Sequence, residues 1–122
     1  MGSIKTYRDL QAWQEAILLV EIVYRVTRHY PREEAFGITG QTQRAAVSVS
    51  LNIAEGYGRG SKAEFARFIR ISRGSLAELQ TLLILSQRLG YAERENLKPI
   101  WQQTMSVGRL INGLLRSLQR AE

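Results

Sequence analysis

Apolar residues recur at intervals of three and four along nearly the whole chain, which is the spacing that one face of an α-helix requires. In the first segment, one stripe of this kind contains Leu10, Trp13, Ile17, Val20, Tyr24 and Thr27. A second stripe beside it contains Ala16, Leu19, Val23, Val26 and Tyr30. Together they form an apolar face that is wider than a single coiled-coil seam needs. We predict a helix over residues 8–30, with Asp9, or Thr6 together with Asp9, capping its start.

Three further segments show the same spacing, and we predict helices over residues 38–57, 62–89 and 95–120. The β-branched residues of the first of these segments would also suit a strand. We prefer a buried helix there, because the chain offers no second strand for pairing. Four long helices with short connections predict an all-α fold, an antiparallel up-down-up-down four-helix bundle. We expect one domain over residues 1–122, with residues 1–6 as a flexible leader.

The ends of the last two helices carry local signals. Ser61 and Glu64 have the spacing of a capping box, in which the serine accepts a bond from the Glu64 amide and the glutamate reaches back. Gly90 is expected to stop the third helix. A helix tolerates Pro99 in its first turn, so the fourth helix is expected to start shortly before it.

Composition narrows the classes of function. The formal net charge of +6 and the sequence pI of about 10.2 favour nucleic acid or another polyanion as partner. The chain has no cysteine, which excludes disulfides, thiolate catalysis and cysteine-ligated metals. The longest unbroken apolar run, residues 16–20, is far shorter than a membrane span, and no secretory signal is present. We expect a cytoplasmic protein that does not contact membranes.

Catalytic chemistry would have to use His29, the only histidine. An HEPN-type RNase has an arginine followed by four to six residues and then a histidine, but only three residues separate Arg25 from His29. We interpret His29 as a surface residue near the end of the first helix, where a cation is favourable. No set of residues offers a nucleophile with a base. We therefore expect no enzyme activity, no metal site, no cofactor and no small-molecule substrate.

The stretch "GYGRG" contains Gly56, Gly58 and Gly60 and leads into the third helix. With Arg59 and Lys62 beside it, the N-terminus of that helix could hold a phosphate. The stretch does not follow a strand, however, and the glycine loops that bind nucleotides do. We favour a corner between two helices.

Positive charge is unevenly distributed: residues 1–35 contain five basic and five acidic side chains, whereas residues 36–90 contain seven basic against three acidic. Arg67, Arg70 and Arg73 step by three along the third helix, and a line on the fourth helix contains Arg109, Arg116 and Arg120. Arginine suits phosphate geometry better than lysine does. We predict that nucleic acid contacts Arg67, Arg70 and Arg73 first, and then Arg59, Lys62 and Arg109. The alternative is a solvated face with ion pairs to Glu64 and Glu78.

The segments "YRDLQAWQEAILLVEIVYRVT" and "GITGQTQRAAVSVSLNIAEGYGRGSKAEFARFIRISRGSLAELQTLLILSQRLGY" resemble a family of four-helix bundles. The family was first named for open reading frames in 23S rRNA intervening sequences. It also includes the accessory variability determinant (Avd) of diversity-generating retroelements. The likeness runs from Tyr7 to Tyr91, and "RAAVSVSLNIAEGYGRGS" and "GSLAELQTLL" are its specific parts. Ser50 stands where the family commonly has proline, so we expect a straighter second helix.

The resemblance implies a homopentamer, a barrel of five bundles with a basic exterior and no known catalysis. Avd members bind a reverse transcriptase and its RNA template, so the chain would be a nucleic-acid-binding accessory protein. The alternative is a structural homo-oligomer encoded in an rRNA intervening sequence, which binds a protein partner and has no direct role with nucleic acid. Neighbouring genes would distinguish the two settings.

The width of the apolar face on the first helix also favours an oligomer. Trp13, Leu19 and Tyr24 cannot all face the core of one bundle, so we predict that they form the interface between copies. The alternative is a monomer with an exposed apolar helix.

Overall fold

The structure, a computed structural model, describes residues 3–120 and contains four α-helices, with no strand in that range. The helices are α1 (Gln11–Thr27), α2 (Ile38–Gly58), α3 (Lys62–Arg88) and α4 (Arg94–Arg120). Two short 3-10 helices, Tyr7–Asp9 and Arg32–Glu34, precede α1 and α2. The prediction of an all-α four-helix bundle is therefore confirmed. Among these residues, no helix is long and apolar enough to cross a membrane.

The four helices enclose one hydrophobic core. α1 and α3 each pack against both α2 and α4, whereas the diagonal pairs do not approach each other within residues 3–120. Every helix contributes fully buried side chains, among them Leu19, Val23, Val49, Ile53, Ile69, Leu79, Leu83, Ile100, Val107 and Ile111. Burying aliphatic side chains of this size is the main favourable term in the stability of the bundle.

Small residues let α2 and α3 approach closely. The hydroxyls of Ser48 and Ser75 lie 2.8 Å apart, and the Ser72 hydroxyl donates to the Val49 carbonyl at 2.7 Å. Short side chains along α2 explain why that segment is so weakly amphipathic in sequence. α2 also runs without a break through Ser50, where a proline would have removed a backbone hydrogen bond.

The start of α1 differs from the predicted boundary. Thr6 and Asp9 do form a capping box, but it caps the N-terminus of the 3-10 helix Tyr7–Asp9. Leu10, in an extended conformation, separates that 3-10 helix from α1. Of the predicted leader, residues 1 and 2 lie outside the described residues. The amides of Lys5 and Thr6 donate to the Asp9 carboxylate at 2.9 and 3.0 Å.

Gly90 ends α3 as predicted. Its φ of +79° is the left-handed conformation that glycine adopts without strain. The amide of Tyr91 donates to the Ser86 carbonyl and that of Gly90 to the Gln87 carbonyl, which is a Schellman motif.

Pro99 lies in the second turn of α4, because the helix begins at Arg94; its predicted place in the first turn is wrong. The carbonyl that it leaves without an intrahelical partner belongs to Glu95. That residue is exposed, so water can satisfy the carbonyl.

Candidate nucleic-acid interface

The glycines of "GYGRG" do not form a loop around an anion. Gly56 lies inside α2, where an added Cβ would stand 2.7 Å from the Cβ of Phe68 on α3. Gly58 is the last residue of α2 and faces open space, and Gly60 has a φ of +85° in the turn to α3. The Ser61 hydroxyl accepts the Glu64 amide at 3.2 Å. The stretch is therefore a helix contact followed by a corner.

Arg59 and Arg67, two of the predicted contact residues, both lie over the same aromatic ring, that of Phe68. Their guanidinium carbons are 4.9 and 4.5 Å from the ring centroid of Phe68. Each also has an acidic partner: Arg59 Nε is 3.0 Å from Glu55, and Arg67 Nε is 2.9 Å from Glu64. Both charges are thus partly neutralised within the chain, as the solvated-face alternative expected for Arg67.

The Glu64 carboxylate bonds Arg67 through both of its oxygens, and so the predicted reciprocal half of the capping box does not form. The hydrogen bond from Arg67 holds the pKa of Glu64 below its ordinary value. Because folding lowers this pKa, the pair contributes to stability above the ordinary carboxyl pKa. That contribution is lost as the pH falls through the lowered pKa. Both side chains are exposed, so the contribution is small.

We predict that Glu64 titrates below an unpaired glutamate, and that Arg67→Gln returns its pKa to the ordinary range. NMR titration of the side-chain carboxyl carbons measures both values. An unchanged Glu64 pKa in the Arg67→Gln variant would show that the two side chains are not paired in solution.

Arg70 and Arg73 on α3 face a cleft between α3 and α4, to which α4 contributes Arg116. The cleft has a volume of about 270 Å³ and is lined by Arg70, Arg73, Asn112, Leu115, Arg116 and Gln119. We call it the arginine cleft. Arg73 Nη1 lies 3.3 Å from Asn112 Oδ1, the contact that joins its two walls. No ion pair in residues 3–120 involves any of its three arginines.

Arg116 was not among the predicted contact residues. The sequence placed it on one line with Arg109, but only the register between α3 and α4 sets it opposite Arg70 and Arg73. Arg109 itself is exposed one turn before Asn112, and Lys62 is exposed at the first position of α3. The predicted set is therefore divided: one part is paired around Phe68, and another part lines the arginine cleft.

The predicted oligomer interface needs one correction. Leu19 is 0% exposed in the core of its own chain, so it has no surface to offer to another copy, and its assignment to the interface is wrong. Of the two stripes on α1, the one with Leu19 faces the core. Trp13 is half-buried with its ring 5.2 Å from that of Tyr7, and Tyr24 is 43% exposed.

A second surface feature lies between the end of α3 and the start of α4. It is an open groove of about 700 Å³, with apolar walls from Leu83, Ile84, Leu97 and Trp101. Arg94, Glu95 and Lys98 stand along its edge. We call it the apolar groove. The sequence did not predict this groove. Apolar spacing describes one helix at a time, whereas the walls of the groove come from both α3 and α4.

Comparison with known families gives one result. A family model described as "23S rRNA-intervening sequence protein" matches residues 8–113, which include α1, α2, α3 and most of α4. No curated protein matches the chain.

Proposed function

The chain belongs to the family of 23S rRNA-intervening sequence proteins, and we propose that it is a non-catalytic protein that binds RNA or DNA through phosphate contacts. In this proposal it resembles Avd and assists the reverse transcriptase of a diversity-generating retroelement in the cytoplasm. Several copies form a basic ring, most simply a cyclic homopentamer, which presents the same arginines repeatedly around its circumference.

The observation that carries the proposal is the distribution of unpaired positive charge. The net charge is +6, yet the two ion pairs among residues 3–120 involve only Arg59 and Arg67. Arg70, Arg73 and Arg116 line one cleft, and no carboxylate from residues 3–120 lines it with them. A bundle of this kind offers no recognition helix or stacking sheet, so phosphates are the part of nucleic acid that it suits. Repetition around a ring would add weak contacts together.

The antiparallel order of the bundle is part of the same proposal. Contacts between α3 and α4 support it, because falling residue numbers on one helix meet rising numbers on the other: Gln80 with Thr104, Leu76 with Gly108, Arg73 with Asn112. For the ring, support comes from large apolar side chains that remain exposed on all four helices: Leu18, Tyr24, Leu51, Ile71, Ile84, Leu85, Trp101 and Met105. An exposed apolar patch that is large and contiguous marks an interaction site.

Direct binding measurements test the function. We expect labelled single-stranded RNA and duplex DNA to bind with little sequence preference, and the affinity to fall steeply between about 50 and 200 mM salt as counterions are released. Fluorescence anisotropy measures the affinity, light scattering the ring size, and a pull-down the association with a reverse transcriptase from the same locus. A chain that binds neither nucleic acid at near-physiological salt would exclude the proposed function.

The apolar groove supports a second candidate, a structural homo-oligomer that binds a protein partner and has no role with nucleic acid. Trp101 is partly exposed beside Ile84, and an aromatic side chain of this kind is a common anchor in protein interfaces. This candidate predicts that Trp101→Ala weakens association with protein partners, whereas nucleic acid does not bind to either form. Nucleic-acid affinity in the wild-type chain decides between the two.

A further inference from the structure

We propose that the arginine cleft is a discrete site for a single phosphate group, held between α3 and α4 by Arg70, Arg73 and Arg116. Its ligand is either free inorganic phosphate or one phosphodiester of a nucleic-acid backbone. The second form rests on the proposed function, whereas the binding of the anion itself does not.

The positive charge of the cleft favours the binding of an anion. Arginine keeps its proton at any physiological pH, so three guanidinium groups line the cleft as three permanent positive charges. No carboxylate among residues 3–120 lines the cleft. Like charges at short range destabilise each other, and a bound oxyanion would replace that repulsion with attraction.

The polarity of the cleft favours one small charged group over a nucleoside. Pockets for metabolites of drug size typically occupy about 300–1,000 Å³ and are mostly apolar. The arginine cleft has about 270 Å³, and Leu115 is the one apolar residue among those that line it. A phosphate group with its hydrating waters suits this space, whereas a whole base or nucleoside would find no apolar surface against which to stack.

The side chains are arranged to donate. Arg73 Nη1 donates to the side-chain amide oxygen Oδ1 of Asn112 at 3.3 Å, so the two side chains meet across the cleft. The other nitrogens of the Arg73 guanidinium stay available, and so does the amide nitrogen of Asn112. Gln119 provides a second amide. Guanidinium groups with side-chain amides beside them form a donor set that matches the oxygens of a phosphate.

A pair of double variants with the same change in charge tests the site. Arg73→Gln with Arg116→Gln empties the cleft of two charges. Arg25→Gln with Arg28→Gln removes two exposed charges at the end of α1, outside the predicted contact set, and is the control. Circular dichroism confirms that both fold, and Arg116→Lys, which keeps the charge and loses the planar fork, is the milder variant.

The first arm uses inorganic phosphate alone. We expect phosphate to shift the side-chain resonances of the cleft arginines and to raise the melting temperature of the wild type and of the control. The cleft variant should show neither effect. In low-salt buffer without phosphate, the cleft variant should melt no lower than the wild type, since it relieves repulsion. A lower melting temperature together with unshifted arginine resonances would mean that these arginines are structural, and would overturn the site.

The second arm uses single-stranded RNA and separates the site from the proposed function. Loss of one phosphate contact should weaken binding about tenfold at low salt and reduce the slope of log affinity against log salt by about 0.7. The control should keep the wild-type slope. If the slope of log affinity against log salt were equal in all three chains, and phosphate did not shift the arginine resonances, the phosphate site would be contradicted. The proposed binding of nucleic acid would remain. Phosphate shifts at the cleft without any RNA binding would support a free-phosphate site and exclude the function.

Discussion

Replacing Leu19 with alanine is expected to lower the free energy of unfolding by about 2–5 kcal/mol, the usual range for a leucine removed from a packed core. Leu19 is 0% exposed and belongs to the single core cluster to which all four helices contribute, so its loss leaves a cavity. A domain of this size has a total stability of about 5–15 kcal/mol, and the variant would lose a large part of it. Chemical denaturation followed by circular dichroism measures the change.

Leu18→Ala is the matched control, because the neighbouring leucine is 40% exposed and its removal is expected to cost less than about 1 kcal/mol. The measurement also separates a core residue from an interface residue. A core residue lowers stability by the same amount at every chain concentration, whereas an interface residue acts through association. If the effect of Leu19→Ala depended on concentration, or if the variant changed the ring size while remaining stable, its place in the core would be contradicted.

Replacing Gly56 with alanine is expected to destabilise the chain by about 1–3 kcal/mol, although alanine is the better helix former. The new Cβ would lie 2.7 Å from the Cβ of Phe68 and 3.2 Å from the carbonyl oxygen of Phe65. Neither atom can move without shifting α3, because the carbonyl oxygen is part of the α3 backbone and the Cβ is bonded directly to it. α2 and α3 would therefore separate along the close contact that their small residues allow. Thermal unfolding measures the loss.

Gly58→Ala makes the same chemical change two residues later and is expected to have the opposite sign. No atom lies within 4 Å of the added Cβ, and Gly58 is still within α2, so alanine should stabilise the chain by up to about 1 kcal/mol. Equal effects of the two substitutions would mean that Gly56 is not a packing residue and that the close approach of α2 and α3 is absent in solution.

The number and type of the helices, and the ends of α2, α3 and α4 to within one residue, followed from the sequence because the signals that determine them are local; α1, predicted over residues 8–30, is shorter by three residues at each end. Apolar spacing of three and four depends on residues within one or two turns. The end of α3 at Gly90 is set by a left-handed residue and two hydrogen bonds close along the chain. The predicted start of α1 was wrong because a capping box is also a local signal. The sequence shows the Thr6–Asp9 box, but not that it caps a separate 3-10 turn instead of α1.

Only the tertiary structure decided which surfaces the helices share. The sequence displays two apolar stripes on α1, and nothing within α1 says which of them meets α2 and α4; packing places Leu19 inside and leaves Tyr24 exposed. The candidate site depends on the same kind of information. Arg67 and Arg70 look equivalent in sequence, yet Glu64 neutralises the first, and Arg116 joins the second from a distant part of the chain. Helix propensity and charge are properties of a segment, whereas an anion site between two helices depends on their register, which packing determines.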